Sequence, residues 1–321
     1  MIPVPHRRLV TVPGVAMLAG GLTAFAPAWI PAALAHDLAR APRRLPLSRM
    51  LSFGLVWSWL ETVGVVASTS LWAAGQSSRA DAHYGLQRWW ASRLVDGLRL
   101  LCDLRIEVDG LELLAPGPVV MCGRHASIPD SLLPAWLLGQ AGGMRPRYVL
   151  TRELLADPCL DIVGNRLPNH FVDRNAADAA PELDAIERLA RGMGSRDAGV
   201  IFPEGAVANA PRRRRALAKL AEQDPARGRR LAGLRHLLPP RPRGTEALLR
   251  GAPDAAVVFM AHVGLEGLDR LAGAPAHLPL PAPVRVHLRR FARAEVPAGA
   301  DFPAWLDDRW LEMDAWVETH S

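Results

Sequence analysis

Cysteine is scarce: Cys102, Cys122 and Cys159 are the only three in 321 residues, and no two form a CxxC pair. That excludes a disulfide framework and a cysteine-rich zinc site, and their apolar or helical surroundings read as reduced core thiols of a cytosol-facing protein. Lysine is nearly absent. Lys219 stands alone, so 37 of the 38 cations are arginine, a bias that genomic base composition produces and that carries little functional weight. Charged residues make up 22% of the chain against 50% hydrophobic, which excludes a disordered tail and suits one large domain plus an accessory region. No internal repeat is visible. The net charge of +6 and the run Arg212 to Arg215, followed by Arg227, Arg229, Arg230 and Arg235, raise nucleic acid as a partner. However, no aromatics are interleaved there for base stacking, so the run reads as a solvated helical face and no nucleic acid is expected.

What the chain has in excess is apolar sequence at its front. Residues 9–35 carry no charge, although Pro13, Pro27 and Pro31 interrupt them. The length permits a span, and the prolines argue for a broken or re-entrant one. Arg7 and Arg8 before this run and Ala33-Leu34-Ala35 at its end imitate a secretory signal. The run is longer than the usual apolar core of about 7 to 15 residues, so it is read as retained. Residues 50–75 form a second apolar stretch with one charge, Glu61, among Trp57, Trp59 and Trp72. As a helix it would extend about 39 Å. Both stretches are apolar around nearly the whole circumference, which disfavours a buried core helix. Arginines flank it on both sides, Arg40, Arg43, Arg44 and Arg49 before and Arg79, Arg88, Arg93 and Arg99 after, so the charge rule leaves the topology open. A hairpin dipping into one leaflet keeps all of them beside anionic headgroups, whereas two spans would place four on the far side. The expected division is a membrane-associated hydrophobic hairpin over residues 1–80 and a larger domain, facing the cytoplasm, over residues 81–321.

Beyond an amphipathic stretch at 86–101, short apolar strand patterns at 105–108, 118–122, 147–150, 199–202, 256–261 and 284–288 alternate with helical patterns at 131–139, 180–192, 211–222 and 301–317. This interleaving predicts an α/β fold, a mixed sheet flanked by helices.

The strand at 119–122 runs into Gly123-Arg124-His125-Ala126-Ser127-Ile128-Pro129-Asp130. A histidine at a strand end with an aspartate five positions on lets the carboxylate turn back on the imidazole, fix its tautomer and raise its basicity, as removal of a hydroxyl proton requires. With ten histidines and 19 aspartates in the chain, chance alone supplies about 0.6 such pairs. Ser127 to Asp130 also fits a capping box that merely starts a helix. Phe202-Pro203-Glu204-Gly205, at the end of another strand, holds a carboxylate in a tight turn at the sheet edge, where ligands of α/β proteins collect; an ordinary turn has the same composition. Between the two, Phe171-Val172-Asp173-Arg174 leads to an arginine suited to a forked phosphate contact, or to a surface ion pair.

Taken in order, these three segments resemble the acyltransferase family of glycerophospholipid synthesis: His125 and Asp130 its H-x4-D block, 171–174 its arginine block, 202–205 its F-P-E-G block. The joint match is far rarer than any single piece. A further stretch, Leu234 to Gly244 with Leu238-Pro239-Pro240-Arg241, is similar to a segment of the longer lysophosphatidate and lysocardiolipin acyltransferases. The resemblance implies an acyl-CoA-dependent O-acyltransferase acting on a lysophospholipid, foremost the sn-2 hydroxyl of 1-acylglycerol-3-phosphate. His125 would be the general base and Asp130 its orienting partner. Arg174, Glu204 and Gly205 would form the phosphate pocket, with Arg241 and Arg243 drawing in anionic groups. It implies lysophospholipid, acyl thioester and membrane lipids as partners, and neither metal nor organic cofactor, the thioester of coenzyme A or acyl carrier protein being a co-substrate. The chain departs from the family after F-P-E-G, where Ala206-Val207-Ala208-Asn209 replaces the usual Thr and Arg or Ser. It departs again in the late strand, where Phe259-Met260-Ala261-His262 replaces a proline-containing turn. His262 then lines the pocket or is a satisfied core histidine. Another acceptor (lysocardiolipin, a glycolipid or an amine) and a catalytically silent lipid-binding protein are the alternatives.

Overall fold

The computed structural model describes residues 4–176 and 178–321. In chain order its helices are α1 (Val4–Ala24), α2 (Ala26–Arg40), α3 (Pro46–Ala73), α4 (Ala80–Cys102), α5 (Leu133–Gln140), α6 (Pro158–Gly164), α7 (Ala180–Ala190), α8 (Ala210–Gln223), α9 (Pro225–Leu231), α10 (Pro242–Gly251), α11 (Ala274–His277) and α12 (Phe302–His320). The strands are β1 (Ile106–Asp109), β2 (Val119–Gly123), β3 (Arg145–Thr151), β4 (His170–Val172), β5 (Asp197–Ile201), β6 (Ala256–Val263) and β7 (Val284–Phe291). Proline opens many of these helices, α3, α6 to α10 and α12 among them, because its fixed φ suits the first turn and its missing N–H is not needed there. Asp157, Asn209 and Asp224 cap α6, α8 and α9 by accepting from Leu160, Arg212 and Arg227 amides.

Two compact units result, neither continuous in sequence. One comprises the chain up to Arg105 together with Leu150–Phe171 and Ala272–Pro283; the other comprises Ile106–Val149, Val172–Leu271 and Val284–Ser321.

In the helical unit, α1 and α2 are bent by 73° at Phe25, where Pro27 deprives the next turn of a donor. Pro13 and Pro31, also expected to interrupt, lie inside their helices. The helix α3 is long and apolar enough to cross a membrane, and the α1–α2 pair passes the same test only if taken as one bent span. A few ionisable side chains of this unit, Arg7, Asp37, Glu61 and Asp161, turn inward. Asp161 of α6 is fully buried and takes a forked contact from Arg7 (3.0 and 2.8 Å) plus bonds from Arg8. Glu61, the one charge of the second apolar stretch, is equally buried, accepting from Trp90 Nε1 at 2.9 Å and from the Cys159 amide at 3.1 Å. Breaking one partner of a buried pair such as Arg7 and Asp161 costs about 3–5 kcal/mol, so these contacts tie α1 and α3 to α6.

A mixed seven-stranded sheet runs β1-β7-β6-β2-β5-β3-β4. The β1–β7, β2–β5, β2–β6 and β3–β5 pairs are parallel, and β6–β7 is antiparallel. Every residue of β2, β5 and β6 is buried, as expected of parallel strands covered on both faces. β7 alternates instead, with Val284, Val286 and Leu288 inward and Arg285 outward. The core joins Val120, Ile201, Val257 and Phe259 of the sheet to Ile186 of α7, Leu248 of α10 and Leu306 and Trp310 of α12. Truncating a fully buried tryptophan such as Trp310 to alanine costs about 3–5 kcal/mol.

Candidate active site

Neighbouring parallel strands β2 and β5 end together, with Cys122 opposite Ile201, so the segments that follow them emerge at one sheet edge. His125 lies two residues past β2 and the F-P-E-G turn directly past β5. The histidine's Nδ1 is 2.8 Å from Asp130 Oδ1. The second oxygen, Oδ2, accepts from the amides of Ala126 (2.6 Å) and Ser127 (2.7 Å), and Ser127 Oγ accepts in return from the Asp130 amide at 3.2 Å. The capping-box contacts and the His125–Asp130 contact are therefore both present: one carboxylate closes the box and orients the imidazole. Asp130 is fully buried. Burial alone would raise its pKa, but bonds from His125 and His262 outweigh burial and hold it down at about 2. The imidazole is about one-fifth exposed and rests on the Phe202 ring at 4.8 Å. With Nδ1 turned to Asp130, Nε2 is the nitrogen left to receive a proton.

Glu204 is also fully buried. Its Oε1 accepts from the His125 amide at 2.7 Å and its Oε2 from the Leu238 amide at 2.8 Å. Burial pushes its carboxyl up to about 7 against the opposing pull of these two donors. The Ala208 amide donates to the His125 carbonyl at 2.6 Å, so the His125 backbone is gripped on both sides by the segment around F-P-E-G. The turn itself closes through the Gly205 amide on the Phe202 carbonyl, 2.9 Å, with Gly205 at φ +68°. Residues 238–241 dock on this turn, the Arg241 amide donating to the Pro203 carbonyl at 2.9 Å.

Two guanidinium groups meet at Gly205. Arg174 Nη1 donates to its carbonyl at 2.7 Å. Arg241's guanidinium lies 3.3–3.5 Å from where a Cβ on Gly205 would stand, so a side chain there would be strained by its φ and crowded by the arginine. Arg243 is exposed in the first turn of α10 and forms no ion pair among the described residues. Of the residues expected at the site, His125, Asp130, Glu204, Gly205, Arg174 and Arg241 are thus joined by a chain of contacts. Glu204 is spent on backbone amides and so is not available to line an acceptor pocket.

Residues 105–239 match the family model described as Acyltransferase. This span carries an acyltransferase domain. All three sequence blocks of this acyltransferase lie within the matched span, whereas the segment at 234–244 runs past its end. The fold is similar to that of the crystal structure of the 1-acyl-sn-glycerophosphate (LPA) acyltransferase PlsC from Thermotoga maritima, with a TM-score of 0.53 and 14% sequence identity, covering 84% of this chain and 97% of that one. No curated protein sequence matches the acyltransferase.

Among the described residues, no three His, Cys, Asp or Glu side chains are grouped as metal ligands. The three thiols are free and buried. Sequence reasoning missed one site residue, Arg124, and left a second, His262, between pocket and core. Arg124, the residue before the histidine, is buried and pairs with Glu266 at 2.8 Å. His262 closes on Asp130 from β6. The only signal for Arg124 was its position at a strand end.

Proposed function

We propose that this acyltransferase moves a fatty acyl chain from acyl-CoA to the free sn-2 hydroxyl of 1-acylglycerol-3-phosphate at a membrane surface. The observation that carries this reading is the His125–Asp130 contact, with an ionised carboxylate on Nδ1 and a partly exposed ring beyond it. The acceptor hydroxyl hydrogen-bonds to His125 Nε2 and gives up its proton as its oxygen attacks the thioester carbonyl carbon. Asp130 stabilises the resulting imidazolium. The tetrahedral oxyanion collapses, the carbon–sulfur bond breaks, and the imidazolium returns the proton to the departing thiolate. Arg174 and Arg241, converging on Gly205, supply the two positive charges that suit a phosphate monoester. Arg243 adds to the field that draws anions in. Docking of 238–241 on the F-P-E-G turn supports a kinship with the lysophosphatidate and lysocardiolipin enzymes.

Membrane attachment is supported by what the helical unit exposes: Leu9, Val10, Met17 and Phe25 of the α1–α2 region, and Trp59, Val66 and Trp72 of α3. On this reading the catalytic unit works from the cytoplasmic face. A second acceptor is favoured by one observation: the residues after F-P-E-G offer no hydroxyl, and the Ala208 amide is committed to His125.

Membranes carrying wild type or His125→Ala, given labelled acyl-CoA or acyl carrier protein and a panel of lysophospholipids, test the assignment. Transfer to 1-acylglycerol-3-phosphate by wild type alone is the expected result, with a loss of about a thousandfold or more in the variant. Preference for lysocardiolipin or a neutral acceptor would redirect the acceptor assignment, and turnover by His125→Ala would remove the base.

A further inference from the structure

Asp130 is approached by two imidazoles, not one. β6 pairs in parallel with β2, with Gly123 opposite Met260 and the Arg124 amide on the Met260 carbonyl at 3.0 Å. Two residues further along β6, on the same face as Met260, stands His262. Its ring is fully buried. Nε2 lies 3.5 Å from Asp130 Oδ2 and 3.3 Å from the Arg124 carbonyl oxygen. Facing two acceptors, Nε2 is the nitrogen that carries hydrogen. Nδ1 has no hydrogen-bond partner among the described residues. A histidine kept for packing alone would not be set with one nitrogen against a buried carboxylate and the other unsatisfied, since the volume could be filled by an apolar side chain at lower cost.

We propose that His262 is a positioning residue for the transfer reaction: it holds Asp130 from the side opposite His125 and moderates how strongly that carboxylate raises the basicity of the catalytic imidazole. The inference rests on His125 acting as the base. Geometry gives it direction. Asp130 divides its two oxygens, Oδ1 to His125 and Oδ2 to the Ala126 and Ser127 amides with His262 above. Each N–H on Oδ2 draws negative charge away from Oδ1. Removing the His262 N–H concentrates that charge on His125 and favours its imidazolium. The other charged groups around the pair are Arg124, which donates to the His262 carbonyl, its partner Glu266, and Glu204 beneath the His125 amide. None of these changes in the variants below.

The test compares wild type, His262→Phe and His262→Gln of the full chain in lipid nanodiscs. The His125 imidazole resonance, assigned by its disappearance in His125→Ala, is titrated by NMR. In His262→Phe its midpoint should move to higher pH by about half a unit or more, and His262→Gln, whose amide can donate from a similar position, should return it toward wild type. In the acyl-transfer assay His262→Phe should lower kcat about tenfold with KM unchanged and shift the acidic limb of the rate profile in the same direction. An unchanged His125 titration in folded His262→Phe overturns the proposal, as does a glutamine variant no closer to wild type than the phenylalanine one. Because the titration needs no turnover, a wild type inactive toward every acceptor would sink the lysophospholipid reading while leaving the role of His262 to be judged by NMR.

Discussion

The two units of the chain bury opposite things. In the helical unit the carboxylates Asp37, Glu61 and Asp161 are buried, while Leu9, Met17, Phe25, Val66 and Trp72 are exposed. In the sheet unit the apolar residues of β2, β5 and β6 are inside and arginines such as those of α8 are outside. On the proposed membrane attachment of the helical unit, identical physical rules give both patterns, because the surrounding solvent differs. In lipid an unpaired charge costs several kcal/mol and an exposed leucine nothing; in water the order reverses. The sheet unit departs from its own pattern most densely around His125, where Arg124, Asp130, Glu204 and His262 are all buried, and again at Asp307 and Asp314 of α12. Charge kept inside against the local rule marks the site as structured by its chemistry.

Glu204→Gln should break that exception most severely. Above pH 7, where Glu204 is ionised, glutamine can accept from only one of the two amides that the carboxylate holds and turns an NH2 toward the other, at a cost of about 1–3 kcal/mol. Turnover is expected to fall about a hundredfold, with a lower melting temperature by circular dichroism. Phe25→Asp with Val66→Asp attacks the other side of the comparison. Flotation with vesicles should drop about tenfold or more, while transfer to a short-chain soluble acceptor persists. Loss of both would show that the exposed residues serve the fold and not attachment. Arg174→Ala should raise KM for phosphate-bearing acceptors about tenfold and leave a neutral acceptor untouched, as steady-state kinetics will report.

The smallest effect expected is on stability against pH. The Glu204 carboxyl is raised from 4.5 to about 7, so its contribution is fully present below pH 4.5 and is lost as pH rises through about 7. Asp130, lowered from 3.8 to about 2, contributes above pH 3.8 and loses that contribution only as pH falls toward 2. Melting temperatures across pH 4 to 8 should therefore decline for wild type and flatten in Glu204→Gln.

Much of this was legible beforehand. Buried parallel strands announce themselves as short apolar runs, so β2, β5 and β6 stood out, and His125 and Asp130 are close enough in sequence for local geometry to bring them together. β4 did not stand out, because three residues, His170 to Val172, give no period to read. The work of Glu204 was hidden for a different reason: its partners are the backbone amides of His125 and Leu238, 79 and 34 residues away, and an amide leaves no trace in residue type. Nor does sequence tell that Glu61 and Asp161 look inward, since their partners lie on helices far along the chain.

One carboxylate, Glu204, ties together the loop bearing His125 and the segment bearing Arg241. A change of acceptor obtained by altering residues 234–244 would therefore be transmitted through Leu238 and Glu204 to the imidazole. With His125 as the proposed base, selectivity and speed would be mechanically linked, and laboratory evolution toward a new acceptor should repeatedly return compensating substitutions around Phe202 and Ala208, where the imidazole can be reset.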